Sequence, residues 1–183
     1  SMAAAGERRG RILRQQLERG LNTPRTSSLG RLFDAVASLA GVRHEVNYEA
    51  QAAMEWEALA GSTASEGYRL EIDGDRIDPA PMVRALLKDI RRGAPIESMA
   101  ARFHQGLVDA ILRLCLSLRK DHSLNEVVLS GGVWQNMRLL HGTVEALLEQ
   151  GFQVYWHTEV PANDGGLSLG QALVAAAQRG WLA

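Results

Sequence analysis

Apolar residues recur at the three- and four-residue spacing of amphipathic helices along the first part of the chain. Residues 7–19 are charged and helix-prone, with a narrow apolar stripe, and broader stripes mark residues 29–40 and 49–59. A short helix is predicted over residues 82–92, and the longest one starts at Pro95. Because the second half of that longest helix is apolar on nearly every side, the pattern predicts a central, buried helix.

The remaining elements follow a two-residue alternation or a short apolar run. Residues 67–78 alternate around Asp73-Gly74, which predicts a β-hairpin. Residues 127–129 and 152–156 are β-type runs, and each leads into a glycine loop and then a helix. Strands that alternate with helices imply a partly parallel α/β sheet, in which ligands bind at the carboxyl ends of the strands. Both glycine loops are therefore expected side by side at one edge.

Composition places the chain among ordinary globular proteins. It has 183 residues, is 46% hydrophobic and carries a net charge of −1, which gives no support for nucleic-acid binding driven by a general positive field. The single cysteine, Cys115, excludes an internal disulfide and lies among leucines, as an inert buried thiol would. We find no membrane-spanning apolar run and no secretory signal, so a reduced, cytoplasmic setting is expected.

The first glycine loop, Ser130-Gly131-Gly132, offers the clearest candidate chemistry. Paired glycines permit positive φ and let a ligand approach the backbone, and the helix start that follows offers N–H groups suited to a phosphate. Many α/β proteins use such a pair merely to turn. The second loop holds Asp164, which could ligate a divalent metal or cap the next helix; capping is the commoner role.

Other polar residues admit structural explanations. Gly30 and Asp34 share one helix face, where an acid beside a glycine suits a ribose, although the residues alone favour a solvated aspartate and an incidental glycine. Glu49 is expected in the first turn of its helix, where an acid favours the dipole. His104 is expected to be a satisfied core or interface histidine, and Glu55 and Glu57 to face solvent.

Five segments together carry a family pattern, in the order residues 26–37, 48–54, 101–104, 129–136 and 163–171. They read TSSLGRLFDAVA, YEAQAAM, ARFH, LSGGVWQN and NDGGLSLGQ. In combination they closely resemble the C-terminal part of the HypF carbamoyltransferases of [NiFe]-hydrogenase maturation. The resemblance extends from about residue 7 to the end of the chain.

The resemblance implies a fold and an activity. It implies an α/β fold, one lobe of the actin/Hsp70-like (ribonuclease H-like) type, with a mixed sheet flanked by helices and a helix-rich N-terminal half. Members of this family use carbamoyl phosphate and ATP, make carbamoyl adenylate in a YrdC-like domain, and pass the carbamoyl group to the C-terminal cysteine of HypE. We expect residues 1–6 to be a tag remnant or disordered and residues 7–183 to form one domain, with a possible helical subdomain over 7–122 and an α/β part over 123–183.

Site residues carry over position by position. The resemblance places Gly131 and Gly132 at the nucleotide phosphates and Asn136 near the adenine. The nucleoside is implied to lie near Gly30, Asp34 and Glu49, with Asp34 as the ribose-hydroxyl candidate. Asp164 matches an aspartate that helps to hold a divalent metal, Mg, Fe or Zn, which would act as a Lewis acid.

The resemblance implies that the other metal ligands are a histidine pair on a first lobe, which is expected to lie outside this sequence. The metal site is therefore expected to be incomplete, and the chain is expected to fold without catalysing transfer alone. The expected partners are HypE and the other lobe and YrdC-like domain of HypF, with no nucleic acid and no membrane. The alternatives are a small-molecule O-carbamoyltransferase, a tRNA threonylcarbamoyl transferase lobe, and a non-catalytic module that binds a nucleotide or a partner.

Overall fold

The structure of the protein is a computed structural model, which describes residues 6–61, 66–74 and 76–181. Residues 1–5, for which a tag remnant or disorder was expected, lie outside the described residues. The helices and strands alternate unevenly along the chain, with most helices in its first part. The helices are α1 (Glu7–Arg19), α2 (Leu29–Leu39), α3 (Gln51–Ala60), α4 (Ala80–Arg91), α5 (Ile96–His122), α6 (Met137–Glu149) and α7 (Leu167–Gln178). The strands are β1 (Glu71–Asp73), β2 (Arg76–Asp78), β3 (Glu126–Leu129) and β4 (Gln153–Trp156).

The core lies where α2, α3 and α5 meet. Phe33 of α2 and Phe103 of α5 pack edge to face with ring centroids 4.9 Å apart, and Trp56 of α3 meets Phe103 at 6.2 Å. All three side chains are fully buried. Edge-to-face aromatic pairs add to the stabilisation that burial supplies. These three helices therefore share the aromatic centre of the core.

Only the first half of α5 is buried, from Met99 to Ala110, and this corrects the prediction of a helix buried along its length. Leu118, in the second half, is 42% exposed. The apolar pattern is present, but the described elements cover that part of the helix only partly, and residues 111, 112 and 114–116 are half-buried. Contacts near its C-terminal end come from the α6–β4 connection, where Arg119 donates to the carbonyl of Gln150 at 2.8 Å and stacks over the ring of Phe152.

The predicted hairpin is confirmed, and a close backbone approach holds it to α5. Strands β1 and β2 pair antiparallel, with Glu71 opposite Asp78. Just before β1, the N–H of Tyr68 donates to the carbonyl of Arg102 on α5 at 2.9 Å. A Cβ atom at Gly106 would lie 2.1 Å from the carbonyl oxygen of Tyr68, so only glycine fits at this crossing.

Strands β3 and β4 pair parallel, with Glu126 opposite Gln153 and Leu129 opposite Trp156. The α/β class is thus confirmed, and the described strands form two separate two-stranded sheets, one antiparallel and one parallel. The connection from β3 to β4 runs through α6, which packs on α5. Because parallel strands end at the same edge, the segments after Leu129 and after Trp156 leave the sheet side by side.

Helix α7 has no buried residue, although it is the most apolar of the helices by composition. Its Leu173 and Val174 are about half exposed, and Val128 on β3 is 71% exposed.

Within the described ranges, no helix is both long and apolar enough to cross a membrane. The division of the domain at residue 122 stays a prediction.

Candidate functional site

The two glycine loops meet at the carboxyl ends of β3 and β4. The N–H of Gly131 in the first loop donates to the carbonyl oxygen of Ala162 in the second, with an N···O distance of 2.9 Å. A Cβ atom at Gly132 would lie 3.7 Å from the Cβ of Asn163. The predicted convergence of the loops is therefore confirmed. We call this edge, formed by residues 130–136 and 161–166, the glycine rim.

The first loop makes a sharp exit from β3. Gly131 has φ = 105°, a backbone conformation that L side chains rarely adopt. A short 3₁₀ turn, Gly132–Gln135, follows and ends at Asn136. Asn136 caps α6, because its Oδ1 accepts from the N–H of Leu139 at 2.8 Å.

The start of α6 is already occupied by protein groups, which corrects the expectation that its N–H groups stand ready for a phosphate. The N–H of Arg138 donates to Glu57 Oε1 on α3 at 2.9 Å. A carboxylate at this position also takes the favourable place at the helix dipole. Glu57 was expected to face solvent, and it instead fills an anion-binding position. The N–H groups of Arg138 and Leu139 in the first turn of α6 thus already have protein acceptors.

The second loop is capped by Asn163, not by Asp164. Asn163 Oδ1 accepts from the N–H of Gly165 at 3.0 Å, and the carbonyl of Asn163 accepts from the N–H of Gly166 at 3.0 Å. A Cβ atom at Gly166 would come within 2.6 Å of the carbonyl oxygen of Pro161. The loop is thus closed tightly on itself, and Asp164 is left exposed at its tip.

Asp164 alone does not make a metal site. Across residues 6–61, 66–74 and 76–181, no three histidine, cysteine, aspartate or glutamate side chains are grouped so as to hold a metal ion. The hard carboxylate oxygen of Asp164 suits a divalent cation as one ligand among several. The role of Asp164 in metal binding stays a prediction.

Helix α2, which carries Gly30 and Asp34, contacts the 3₁₀ turn of the first loop. Ser28 caps the helix, its Oγ accepting from the N–H of Arg31 at 3.4 Å. The carboxylate of Asp34 lies 3.0 Å from the guanidinium of Arg31, and both side chains are partly exposed. An exposed pair of this kind contributes little to stability. The role of Asp34 at a ribose hydroxyl stays a prediction.

Glu49 does not lie in the first turn of α3, as was predicted. Helix α3 begins at Gln51, and Ala50 precedes it in the left-handed conformation with φ = 61°. Glu49 lies exposed in the turn before that residue. Its proximity to the nucleoside stays a prediction.

His104 on α5 is buried, as expected, and both of its ring nitrogens have hydrogen-bond partners. Its Nδ1 lies 2.8 Å from the carbonyl oxygen of Ala100, and its Nε2 lies 3.1 Å from Nδ2 of Asn136. Its pKa is lowered to about 4, chiefly by burial; the hydrogen bond to the Ala100 carbonyl opposes this shift, and the positive charge of Arg138 adds to it. Asn136 was assigned to the adenine from the sequence, and its link to His104 was missed.

A second pair that sequence reasoning missed lies on the glycine rim. Ser130 Oγ and His157 Nε2 are 2.9 Å apart, and both residues are exposed. They follow β3 and β4 directly, so the parallel register brings them together. The sequence could have indicated this pair, because Ser130 and His157 are each the first residue after a predicted strand.

Comparison with known proteins identifies the family. The family described as "Carbamoyltransferase, Kae1-like Domain, second subdomain" matches residues 1–171. The chain belongs to the HypF carbamoyltransferase family. The resemblance drawn from the five sequence segments is thereby confirmed. The carbamoyltransferase HypF of Rhodobacter capsulatus is 40% identical over 168 residues, covering 91% of this chain and 22% of that protein. The HypF of a Synechocystis strain is 36% identical over 166 residues, covering 88% of this chain and 21% of that protein.

A solved HypF structure has the same fold. The crystal structure of a full-length HypF in the phosphate- and nucleotide-bound form matches with a TM-score of 0.89 and 43% identity. The match covers 94% of this chain and 23% of that protein. This chain thus spans about a fifth of the length of the HypF relatives named here.

Proposed function

We propose that the glycine rim and α2 form one wall of an adenine-nucleotide site in a HypF carbamoyltransferase. The observation that carries the proposal is the hydrogen bond from Gly131 to Ala162, which joins two side-chain-poor loops at the ends of parallel strands. In such sheets this edge is where ligands bind. A HypF relative with 43% identity has been crystallised with phosphate and nucleotide bound, which supports the same role here.

Each residue has a distinct part in this wall. Gly131 and Gly132 let the phosphates approach the backbone because no Cβ intervenes. Asp34, with Gly30 beside it, accepts a hydrogen bond from a ribose hydroxyl. Asn136 orders the end of the loop below the adenine, and Asp164 can give one oxygen ligand to a divalent metal.

The complete enzyme is proposed to transfer a carbamoyl group from carbamoyl adenylate, made from carbamoyl phosphate and ATP, to the C-terminal cysteine of HypE. The thiolate attacks the carbamoyl carbon, a C–S bond forms, the C–O bond to the phosphate breaks, and AMP leaves with the electron pair. The rim contributes by holding the phosphate of the leaving group, which orients the carbamoyl carbon. A reduced, cytoplasmic setting suits this chemistry because the acceptor must remain a thiol.

The other wall, the YrdC-like domain and HypE are proposed partners, supplied by the remainder of a HypF protein and by its substrate. Isolated, the 183-residue chain is expected to bind nucleotide weakly and to transfer nothing, because one wall cannot enclose the adenylate.

A chimera tests this function. Residues 7–181 replace the matching subdomain of the Rhodobacter capsulatus HypF, and the chimera receives carbamoyl phosphate, ATP and HypE. Mass spectrometry should find a carbamoyl group on the HypE C-terminal cysteine. The Gly132→Val chimera, whose side chain enters the space beside Asn163, should lose transfer, while Gly170→Ala should keep it because that Cβ meets nothing within 4 Å. A folded chimera that leaves HypE unmodified would contradict the proposal, as would transfer by the isolated chain.

A further inference from the structure

His104 lies at a junction of the elements that form the proposed nucleotide wall. It belongs to α5, its ring meets Phe33 of α2 edge to face with centroids 5.4 Å apart, and its Nε2 contacts Asn136 at the end of the glycine loop. The imidazole is 1% exposed. A single buried side chain therefore touches both the helix that carries Asp34 and the residue that ends the loop.

The hydrogen bonds fix the tautomer of His104. A carbonyl oxygen can only accept, so the 2.8 Å contact with Ala100 requires the proton on Nδ1. Nε2 must then be the acceptor, and the amide nitrogen of Asn136 is the donor at 3.1 Å. The low pKa of the buried ring keeps it neutral at neutral pH, as this arrangement requires.

This tautomer in turn fixes the orientation of the Asn136 amide. With Nδ2 directed to His104, Oδ1 faces the N–H of Leu139 and caps α6 at 2.8 Å. The rotated amide would place two acceptors against each other at His104 and a donor against the N–H of Leu139. The histidine and the N–H of Leu139 thus favour the same amide orientation, and an apolar ring at position 104 would leave the buried Nδ2 of Asn136 without this acceptor.

We propose that His104 is a positioning residue of the nucleotide site, which holds the Asn136 amide, and with it the end of the glycine loop, in the orientation used for nucleotide binding. This inference rests on the proposed function, because the order of the loop affects nucleotide binding only if the loop belongs to a nucleotide site. His104 itself touches no ligand.

Three variants separate positioning from mere packing. His104→Phe keeps an aromatic ring but removes the acceptor, and His104→Gln restores an acceptor. Asn136→Ser keeps a capping oxygen for α6, but its shorter side chain lacks the Nδ2 group that reaches His104. The control is His141→Gln on the exposed side of α6.

The first measurement is amide hydrogen exchange of the 183-residue chain without ligand. In His104→Phe and Asn136→Ser, the backbone amides of residue 136 and of Leu139 should exchange faster than in the wild type, by about tenfold relative to the amide of Met54 on α3. His104→Gln should recover most of the protection. Equal acceleration at Met54 would indicate a general loss of stability and would overturn a positioning role, as would unchanged exchange at both loop amides.

The second measurement is the affinity for ATP with Mg²⁺, followed by NMR titration. His104→Phe should bind about tenfold more weakly, and the double variant with Asn136→Ser should be no weaker than either single one. Wild-type affinity in His104→Phe would overturn the inference. A wild-type chain that binds no ATP would instead remove the proposed nucleotide site, and the exchange result would still decide whether His104 orders the loop. If His104→Phe does not fold, Asn136→Ser and His104→Gln decide the question.

Discussion

The backbone N–H of Gly131 and the carbonyl oxygen of Ala162 are joined by a 2.9 Å hydrogen bond between two loops that are far apart in sequence. The bond fixes the first glycine loop against the second. Any substitution that moves the second loop should therefore also displace the first loop, even when the substituted residue touches no ligand.

Gly166→Ala tests that coupling. The new Cβ would lie 2.6 Å from the carbonyl oxygen of Pro161, so the second loop must shift. We expect this shift to weaken the hydrogen bond between Gly131 and the adjacent Ala162. We expect ATP affinity to fall by about tenfold. Gly170→Ala is the matched control, since its Cβ has nothing within 4 Å, and it should bind ATP normally. Equal affinities for both variants in a calorimetric titration would argue against coupling through the loops.

Asp34→Ala should weaken ATP binding by about tenfold, because the proposed ribose contact is lost. Arg31→Ala removes the other member of the same ion pair and leaves the carboxylate in place. The exposed pair adds little to stability, so both variants should melt within a few degrees of the wild type. If Arg31→Ala weakens binding as much as Asp34→Ala does, the carboxylate is not the group that binds.

His104 should make the free energy of unfolding depend on pH. Its pKa is about 4 in the folded chain against an ordinary 6.5, so the unfolded state takes up the proton first as the pH falls. The full stability is present above about pH 6.5 and should decline by up to about 3 kcal/mol as the pH falls towards 4. Urea unfolding at several pH values measures this. His104→Phe should flatten the decline, and His141→Gln should not; an equally steep decline without His104 would assign it to other groups.

Gly106→Ala should destabilise the fold although alanine favours helices. Alanine gains about 1 kcal/mol of helix propensity, but the new Cβ would lie 2.1 Å from the carbonyl oxygen of Tyr68. We expect a net loss of about 2 kcal/mol or more from overpacking, measured by urea unfolding. Gly170→Ala on α7 should show the propensity gain alone. A stabilised Gly106→Ala would mean that the segment before the hairpin is not held against α5.

Local pattern predicted most elements but not their exact starts. The apolar periodicities located the helices, and the two strand, loop and helix sequences located the glycine rim. Helix α3 begins two residues later than predicted because Ala50 adopts a left-handed conformation, which nothing in its residue type indicates. That shift is what removed Glu49 from the helix.

Contacts between distant segments could not be predicted. Glu55 pairs with Arg43 and Glu57 accepts from the N–H of Arg138, although both glutamates were expected to face solvent. The Asn136 contact with His104 is likewise invisible in the sequence, since it depends on how α5 and α6 cross. The buried length of α5 was overestimated because an apolar pattern shows which residues can be buried. It does not show which elements pack against them.

The central claim is that the glycine rim binds an adenine nucleotide, and NMR titration of the isotope-labelled chain with ATP and Mg²⁺ tests it most directly. The account predicts saturable shifts of the backbone amides of the rim glycines and of Gly30 on α2, with smaller changes elsewhere. The rim glycines are Gly131, Gly132, Gly165 and Gly166. Spectra in which these amides stay unchanged, or in which ATP shifts only residues outside the rim and α2, would contradict it.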